Sequence, residues 1–285
     1  MTATLAEVVR LLDRRYPPRT AESWDRVGLV AGDPAQPVRK VLFAVDPVAT
    51  VVEEALDWGA DLIVTHHPLL LRGVHTVAAT EFKGALVHRL ILAGCALYTA
   101  HTNADAATDG VADQLADLLG LVDSRPLVPE EADAAVGLGR VGELDPPLSL
   151  RALAERVAAV LPATAQGIRY AGPDDGLVRT VAVLGGSGDS LFDQVRASGA
   201  DAYVTSDLRH HPASELRERA EFEGGTPYLI DTAHFASEWP WLPGAERALI
   251  DDLAAHGTTV ETRVSTRRTD PWTGRVPSPS EGPTP

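Results

Sequence analysis

An internal repeat constrains the fold of this chain more than any other feature of its sequence. Residues 59–68 resemble residues 199–212, and in each half a predicted strand and helix precede the segment and another strand follows it. The strands that follow also end alike, in residues 98–105 and 231–238. Two related α/β units that face each other would place these strand ends around one crevice, which is where open α/β sheets bind ligands.

Apolar runs of strand length alternate with amphipathic runs along both halves, which is typical of an α/β protein with mostly parallel strands. In residues 4–16 apolar side chains recur with helical spacing, and Thr4 with Glu7 forms a helix-capping pattern. The predicted strands are 41–45, 62–65, 96–99, 136–144, 180–184, 202–205, 228–230 and 259–264. The predicted helices are 4–16, 48–58, 81–93, 111–119, 148–160, 190–198, 212–221 and 244–256.

These elements predict two similar α/β lobes from an internal duplication, with a metal site in the crevice between them. The first lobe is predicted in residues 1–128 and the second in 129–264, with strands near the C-terminus as candidates for packing on the first lobe. Residues 124–133 are acidic and contain proline, which favours a linker. Residues 265–285 are rich in Pro, Ser, Thr and Gly and are predicted to be a disordered tail.

Composition excludes several classes of protein. The 285 residues include 25 Lys and Arg against 40 Asp and Glu, a net charge of −15, which argues against a protein that tracks a phosphate backbone. The single cysteine, Cys95, excludes a disulfide framework and leaves a Cys-based zinc site unsupported. Charged residues interrupt the N-terminal apolar run and no window is apolar enough to span a bilayer, so a cytoplasmic protein is expected.

Two adjacent histidines, His66 and His67, end the predicted strand 62–65, and Pro68 turns the chain after them. Successive side chains of an extended strand point to opposite faces, so the pair cannot face one ion while the chain stays extended. At a strand end the two side chains can splay, and each can serve a different ion. A pair of surface histidines on a loop is the alternative interpretation of this dipeptide.

The repeat adds further donors, because each half supplies a His-x-x-x-acid motif just beyond a strand. The candidate ligands are His66, His67, Asp105, His234 and Glu238. Imidazole and carboxylate suit Zn, Mn, Fe, Co or Ni. Five donors are too many for one tetrahedral zinc and fit a two-metal site with open positions. For Asp105, an Asx turn or helix cap is the alternative.

At these residues the sequence resembles the dinuclear-metal-centre proteins related to the NGG-interacting factor three, often labelled GTP cyclohydrolase I type 2 homologues. The segments that carry the resemblance are 24–29, 64–68, 101–105, 185–188, 200–205 and His234 with Glu238. The resemblance places the family's ligand pattern on the five residues above, with Glu238 as the bridge between two divalent ions. It places His101 close to the metals, as a residue that supports the ligands or faces the substrate.

The resemblance also implies a toroidal homohexamer whose metal sites open toward a central cavity. This chain is the short form, without the inserted domain of the larger members. It departs from the family pattern at Ala233, where a glycine is usual directly before the histidine, and at Ser206-Asp207, which replaces a more usual Thr-Gly pair. These changes are expected to affect substrate fit more than metal binding.

Several other residues have two interpretations. His210 and His211 suit the surface or lobe packing better than ligation, because the repeat diverges there by an insertion. Residues 185–188 suit a tight strand-to-helix turn, with a phosphate cradle as the alternative. The remaining candidates are Arg72, Lys83 and Arg209 as phosphate contacts, and residues 239–241 as cover for apolar surface near the site.

We expect a metal-dependent hydrolase, and the family label implies hydrolytic opening of the purine ring of GTP. The alternative is a non-enzymatic metal-binding protein with a regulatory or interaction role, whose ions hold the lobes together. Nucleic-acid handling inside a ring is a weaker third hypothesis, because the charge of −15 opposes it.

Overall fold

Two sheets, one for each half of the repeat, form the framework of the computed structural model, which describes residues 2–276. The strands in this part of the chain are β1 (Ala3–Thr4), β2 (Gly28–Ala31), β3 (Pro37–Val38), β4 (Lys40–Ala44), β5 (Leu62–Thr65), β6 (Ala96–Thr99), β7 (Val122–Pro129), β8 (Gly137–Ser149), β9 (Arg169–Ala171), β10 (Leu177–Ser187), β11 (Ala202–Ser206), β12 (Tyr228–Thr232) and β13 (Glu261–Val264). The α-helices are α1 (Leu5–Arg15), α2 (Ala49–Trp58), α3 (Phe82–Leu92), α4 (Thr102–Ala106), α5 (Val111–Leu119), α6 (Leu150–Val160), α7 (Phe192–Ser198), α8 (His210–Glu223), α9 (His234–Glu238) and α10 (Trp241–Ala255).

The first lobe is built on a five-stranded sheet in the order β13-β4-β5-β6-β2. The first four of these strands run parallel, and β2 lies antiparallel at the edge. Strands β5 and β6 are buried along their whole length, which explains why they read as continuous apolar runs rather than alternating ones. Strand β13, from late in the chain, pairs in parallel with β4 in this sheet.

The second lobe is built on a six-stranded sheet in the order β7-β8-β10-β11-β12-β9. Its central strands β10, β11 and β12 are parallel, whereas β8 and β9 flank them in antiparallel pairs. Both lobes thus repeat a core of parallel strands with helices between them. The predicted fold of two similar α/β lobes is confirmed.

Local sequence signals explain where the helices begin and end. Thr4 caps α1, and Glu7 accepts a hydrogen bond from the Thr4 backbone N–H, so the predicted capping box is present. Helix α5 ends at Gly120, whose φ of 74° favours glycine. Helix α10 lies late in the chain but packs into the core of the first lobe, where Trp241 is fully buried.

The structure differs from expectation at two predicted irregular segments. Residues 124–129, expected in a linker, belong to β7, which pairs with β8 in an antiparallel hairpin. The proline and the charges there suit an edge strand, where the outer backbone groups need no partner. The chain therefore enters the second sheet at Val122, and the predicted division at residues 128 and 129 stays a prediction.

The predicted disordered tail also differs over the part that the structure describes. The backbone N–H of Ser265 donates to Phe43, and the indole N–H of Trp239 donates to the Ser265 carbonyl. Ser265 and Asp270 are buried. Composition alone does not reveal such a segment, because its order comes from hydrogen bonds to distant residues. Residues 277–285 of the predicted tail lie outside the described residues.

One buried cation joins the lobes. Arg140, only 2% exposed, forms a bidentate ion pair with Asp113 of α5. Its remaining N–H groups donate to the carbonyls of Gly137, Gly139 and Ala107. Because Ala107 directly follows α4, this network ties the second sheet to the helix that carries Asp105. Among the helices within residues 2–276, none is both long and apolar enough to cross a bilayer.

Candidate metal centre

The carboxyl ends of the parallel strands of both sheets meet at one crevice. His66 and His67 follow β5, Asp105 lies on α4 just beyond β6, and α9 after β12 carries His234 and Glu238. The five predicted ligands, separated by as many as 172 positions in the chain, are therefore brought together by the duplicated topology.

Glu238 lies at the centre of this group. Its Oε1 is 2.9 Å from Nε2 of His234 and 3.4 Å from Nε2 of His66, and its Oε2 is 3.2 Å from Nε2 of His67. Nε2 of His66 is also 3.6 Å from Oδ1 of Asp105. Glu238, for which the resemblance implies a bridging role, thus faces three imidazoles at once.

The donors divide into two sets that share Glu238. His67, His234 and Glu238 present ligand atoms within 4.8 Å of one another, and the Nε2 atoms of His67 and His234 are 3.2 Å apart. His66 and Asp105 form the second set with Glu238, and Nε2 of His66 faces the same Oε1 atom of Glu238 as Nε2 of His234 does. The adjacent His66 and His67 thus face different oxygens of one carboxylate, while their own ligand atoms stay within 4.8 Å of each other.

Three atoms of this group have no hydrogen-bond partner among the described residues: Nε2 of His66, Oδ1 of Asp105 and Oε2 of Glu238. Unsatisfied buried polar atoms are costly, so three of them in one cluster call for a partner that accepts electron pairs. Imidazole nitrogens and carboxylate oxygens without thiolates form a donor set for Zn, Mn, Fe, Co or Ni. The residues therefore fit divalent metal ions.

Burial and neighbouring charges shift the pKa values of the side chains in the cluster. Burial raises the pKa of Glu238, but the three facing imidazoles outweigh burial and hold that pKa well below its ordinary value. Burial and the charge of Glu238 together raise the pKa of Asp105 to about 7. Burial lowers the pKa of His234, but Glu238 and Asp207 outweigh it and raise that pKa to about 10. The imidazoles therefore stabilise Glu238 as an anion, whereas burial next to that anion favours the protonated form of Asp105.

Oxygen atoms outside the cluster fix the orientation of each imidazole. Nδ1 of His66 is 2.9 Å from the carbonyl oxygen of Ala100. Nδ1 of His67 is 2.7 Å from Oδ1 of Asp46, and Nδ1 of His234 is 2.7 Å from Oδ2 of Asp207. Such partners hold each ring with Nε2 toward the cluster, which is how metal-binding histidines are usually oriented.

Sequence reasoning missed Asp46 and interpreted Asp207 as a departure from the family pattern. The φ of Asp207 is 55°, in the left-handed region that favours glycine, which explains why a glycine is expected there. Aspartate tolerates this conformation better than most residues, and here its carboxylate holds His234. The only signal in the sequence is the position of each aspartate just beyond a predicted strand, Asp46 after 41–45 and Asp207 after 202–205.

We expect Asp46→Ala to weaken metal binding about 10- to 100-fold, because loss of an oxygen partner frees the ring of His67. The measurement is a competition titration of the purified protein against a chelator of known affinity. Asp57→Ala, at an exposed position on α2, is the matched control and should bind metal as the wild type does. Equal affinity for both variants would contradict the orienting role of Asp46.

His101 lies beside the cluster in a different arrangement. Its Nδ1 is 2.8 Å from Oδ1 of Asp25, and Thr102 donates to the other oxygen of that carboxylate through its backbone N–H. His101 offers a ligand atom within 4.8 Å of those of His66 and His67. The predicted position close to the ligands is therefore observed. Burial raises the pKa of Asp25, but the contacts with His101 and Thr102 outweigh it and lower that pKa.

Glycines let the second lobe approach the cluster. A Cβ atom on Gly186 would lie 2.5 Å from Oε1 of Glu238 and 3.2 Å from Nε2 of His234, and the φ of Gly186 is 72°. The predicted tight turn begins later than expected, because β10 continues to Ser187. The glycine pair thus serves close contact with the metal ligands, and nothing in the geometry favours the phosphate cradle.

Four of the other candidates are exposed at the surface. His210 and His211 are exposed at the start of α8, as predicted, and Arg72 is exposed on the long loop before α3. Arg209 pairs with Asp189. Trp241 packs within 5.6 Å of the His66 ring, measured between centroids, so its predicted role as apolar cover is consistent with the structure.

Two cavities flank the cluster. One of about 430 Å³ is lined by His101, Asp105, Glu238 and the residues 184–187, with Trp24 at its wall. The other, of about 480 Å³, is lined by His67, His234 and residues 269–272. Both volumes lie in the range of small-molecule sites.

Comparison with known proteins identifies the family of this chain. The family model described as Duf34/NIF3 (NGG1p interacting factor 3) matches residues 3–271. A protein of Streptomyces coelicolor named GTP cyclohydrolase 1 type 2 homolog is 55% identical over 276 residues, covering 96% of this chain and 95% of that protein. A solved structure of a Bacillus cereus protein related to NIF3 superposes with a TM-score of 0.86 at 25% identity, covering 95% of this chain and 99% of that chain.

One of the relatives is longer than this chain. A Mycobacterium tuberculosis protein with the same name is 37% identical over 378 aligned residues, covering 95% of this chain and 97% of that protein. The alignment is longer than the 285 residues here, so the relative has additional residues, in agreement with the prediction of a short form. With its two α/β lobes and the converging His and Glu side chains, the chain belongs to the Duf34/NIF3 (NGG1p interacting factor 3) family.

Proposed function

We propose that this protein binds two divalent metal ions in the crevice between its lobes and uses them in a hydrolytic reaction. The observation that supports the proposal most is the convergence of five donors from three separate segments, with three buried atoms that have no partner among the described residues. A structural cluster of hydrogen-bonded polar groups would not leave these three atoms unsatisfied.

Each of the five residues has a role in this proposal. The imidazoles of His66, His67 and His234 and the carboxylates of Asp105 and Glu238 would hold the ions, and Glu238 would be the central ligand because it faces all three imidazoles. When bound, two such ions polarise a substrate and lower the pKa of water, so that a nucleophile exists at neutral pH. His101, oriented by Asp25 and located at the wall of the 430 Å³ cavity, is placed to accept or donate a proton during the reaction.

For the substrate we propose GTP, with hydrolytic opening of the purine ring and release of formate. This part of the proposal comes from the names of the relatives, GTP cyclohydrolase 1 type 2 homolog. The site agrees with it in having a cavity of suitable volume on each side of the metal ligands. The homohexameric toroid that the resemblance implies stays a prediction.

We expect formate release when the metal-loaded protein is incubated with GTP, and none after the metal is removed with a chelator and the protein is dialysed. His101→Asn should retain metal by elemental analysis, whereas formate release falls about 100-fold or more, because a proton-transfer group is lost. Formate is measured by a coupled formate dehydrogenase assay. His210→Asn, at an exposed position on α8, is the matched control.

A different result would favour the non-enzymatic alternative. If the protein holds two ions but neither releases formate from GTP nor hydrolyses a panel of phosphoesters, the ions serve structure or regulation. If the protein binds no divalent metal at micromolar concentration, both the proposed metal binding and the proposed hydrolysis are wrong.

A further inference from the structure

A C-terminal strap, residues 265–276, crosses from the first lobe to the second beside the metal cluster. Ser265 donates through its hydroxyl to Glu54 in the first lobe, at 2.7 Å. At the other end of the strap, the guanidinium of Arg275 donates to the carbonyl of Gln166 in the second lobe, at 3.3 Å. Between these anchors, the hydroxyl of Thr269 donates to Asp46, the carboxylate that orients His67.

The strap and two of the predicted metal ligands line the same 480 Å³ cavity. His67 and His234 line the cavity on the metal side, and Asp270 and Trp272 line it on the strap side. A small molecule in this space would contact the strap and the metal cluster at the same time. None of the roles described so far uses Asp270 or Trp272.

Asp270 has the features of a group built to receive a ligand. It is only 8% exposed, it lines the cavity, and its Oδ2 has no hydrogen-bond partner among residues 2–276. A buried carboxylate without a partner costs free energy, so its retention beside a cavity points to N–H donors that arrive with a ligand. Asp46 and Asp207 also line the cavity, but each is already paired with a histidine, so Asp270 is the carboxylate with an acceptor left free.

Trp272 adds a surface suited to a flat ring. Its side chain is 65% exposed although it lies at the cavity wall, next to Pro271. An exposed indole is a platform on which a nucleobase stacks. A carboxylate and an indole two residues apart thus select a planar ligand whose edge carries N–H groups.

We propose that Asp270 and Trp272 bind a guanine-type base, which refines the substrate of the hydrolytic function proposed above and rests on it. Guanine presents two adjacent donors, N1–H and the 2-amino group, along one edge, and one carboxylate can accept both. The five-membered ring lies at the opposite edge of the purine. With the donor edge on Asp270, the five-membered ring would be directed into the part of the cavity that His67 and His234 line.

The test measures binding by isothermal titration calorimetry of guanosine, inosine and xanthosine monophosphates to the Zn²⁺-loaded full chain. Inosine lacks the 2-amino group, and xanthosine has a carbonyl in its place. The wild type should prefer guanosine to both. Asp270→Asn should bind guanosine about 10- to 100-fold more weakly and should bind xanthosine better than the wild type does, because an amide can donate to that carbonyl. Asp193→Asn, an exposed control on α7, should bind as the wild type does.

A second variant tests the platform without touching a buried residue. Trp272→Leu should weaken guanosine binding about 10-fold and should abolish the quenching of tryptophan fluorescence by the nucleotide. Guanosine binding that is unchanged in both variants overturns the proposal. A wild-type protein that retains its metal and binds none of the three nucleotides also overturns the proposal. The proposed hydrolytic function would then remain possible with another substrate. Failure to retain metal would instead overturn the proposed function itself.

Discussion

Glu238→Ala is expected to abolish the metal centre and, with it, all hydrolytic activity. Glu238 is 2% exposed and faces Nε2 of all three histidines within 3.4 Å, so its removal takes a donor from both sets at once. Loss of an outer partner weakens metal binding roughly 10- to 100-fold, and loss of the shared donor should exceed that range. Elemental analysis after gel filtration should find less than one ion per chain.

The folded state of this variant needs a separate measurement, because three imidazoles lose their common counter-charge. Circular dichroism and a thermal melt in the presence of a chelator would show whether the metal-free variant still folds. Glu218→Ala, at an exposed position on α8, is the matched control and should keep both ions. A Glu238→Ala protein that keeps both ions would contradict the proposed arrangement.

Arg140→Ala is expected to lower the free energy of unfolding by about 3–5 kcal/mol, because it leaves Asp113 without its partner in a partly buried position. The carbonyls of Gly137, Gly139 and Ala107 also lose their donors. Because Ala107 adjoins α4, the variant should bind metal less tightly as well, through displacement of Asp105. Urea unfolding followed by circular dichroism gives the stability.

Two further variants sharpen this prediction. Arg219→Ala removes an exposed arginine from α8 and should change the free energy of unfolding by no more than about 0.5 kcal/mol. Arg140→Met combined with Asp113→Leu should recover much of the loss, since no unpaired charge then remains. If Arg140→Ala is no less stable than Arg219→Ala, the inference that this buried ion pair joins the lobes is wrong.

The parts of the fold that could be predicted are those whose physical signals are local. The prediction for β5 and β6 agrees with the structure residue for residue, because buried parallel strands are short apolar runs between turn residues. The same holds for α5, which has an apolar face and ends at Gly120. The repeat supplied the remaining information, since two copies of one pattern imply that their strand ends meet.

The parts that could not be predicted depend on distant partners. Strand β8 runs to Ser149, beyond the predicted residue 144, through two prolines that read as an interruption. An arginine is normally expected at the surface. Arg140 is buried because the fold places Asp113 and three carbonyl groups around it. Asp46 and Asp270 carry no motif, and their importance follows only from the imidazole or the cavity that the fold places beside them.

The position of each element along the chain fixes the order in which the elements are synthesised. Helix α10 and strand β13 are synthesised late. They complete the core and the sheet of the first lobe, to which the earliest residues also belong. His234 and Glu238 also emerge late, only after the whole second sheet has been synthesised. The five predicted ligands therefore exist together only after His234 and Glu238 have been added to the chain, and a metal centre that uses all five would be completed late in synthesis.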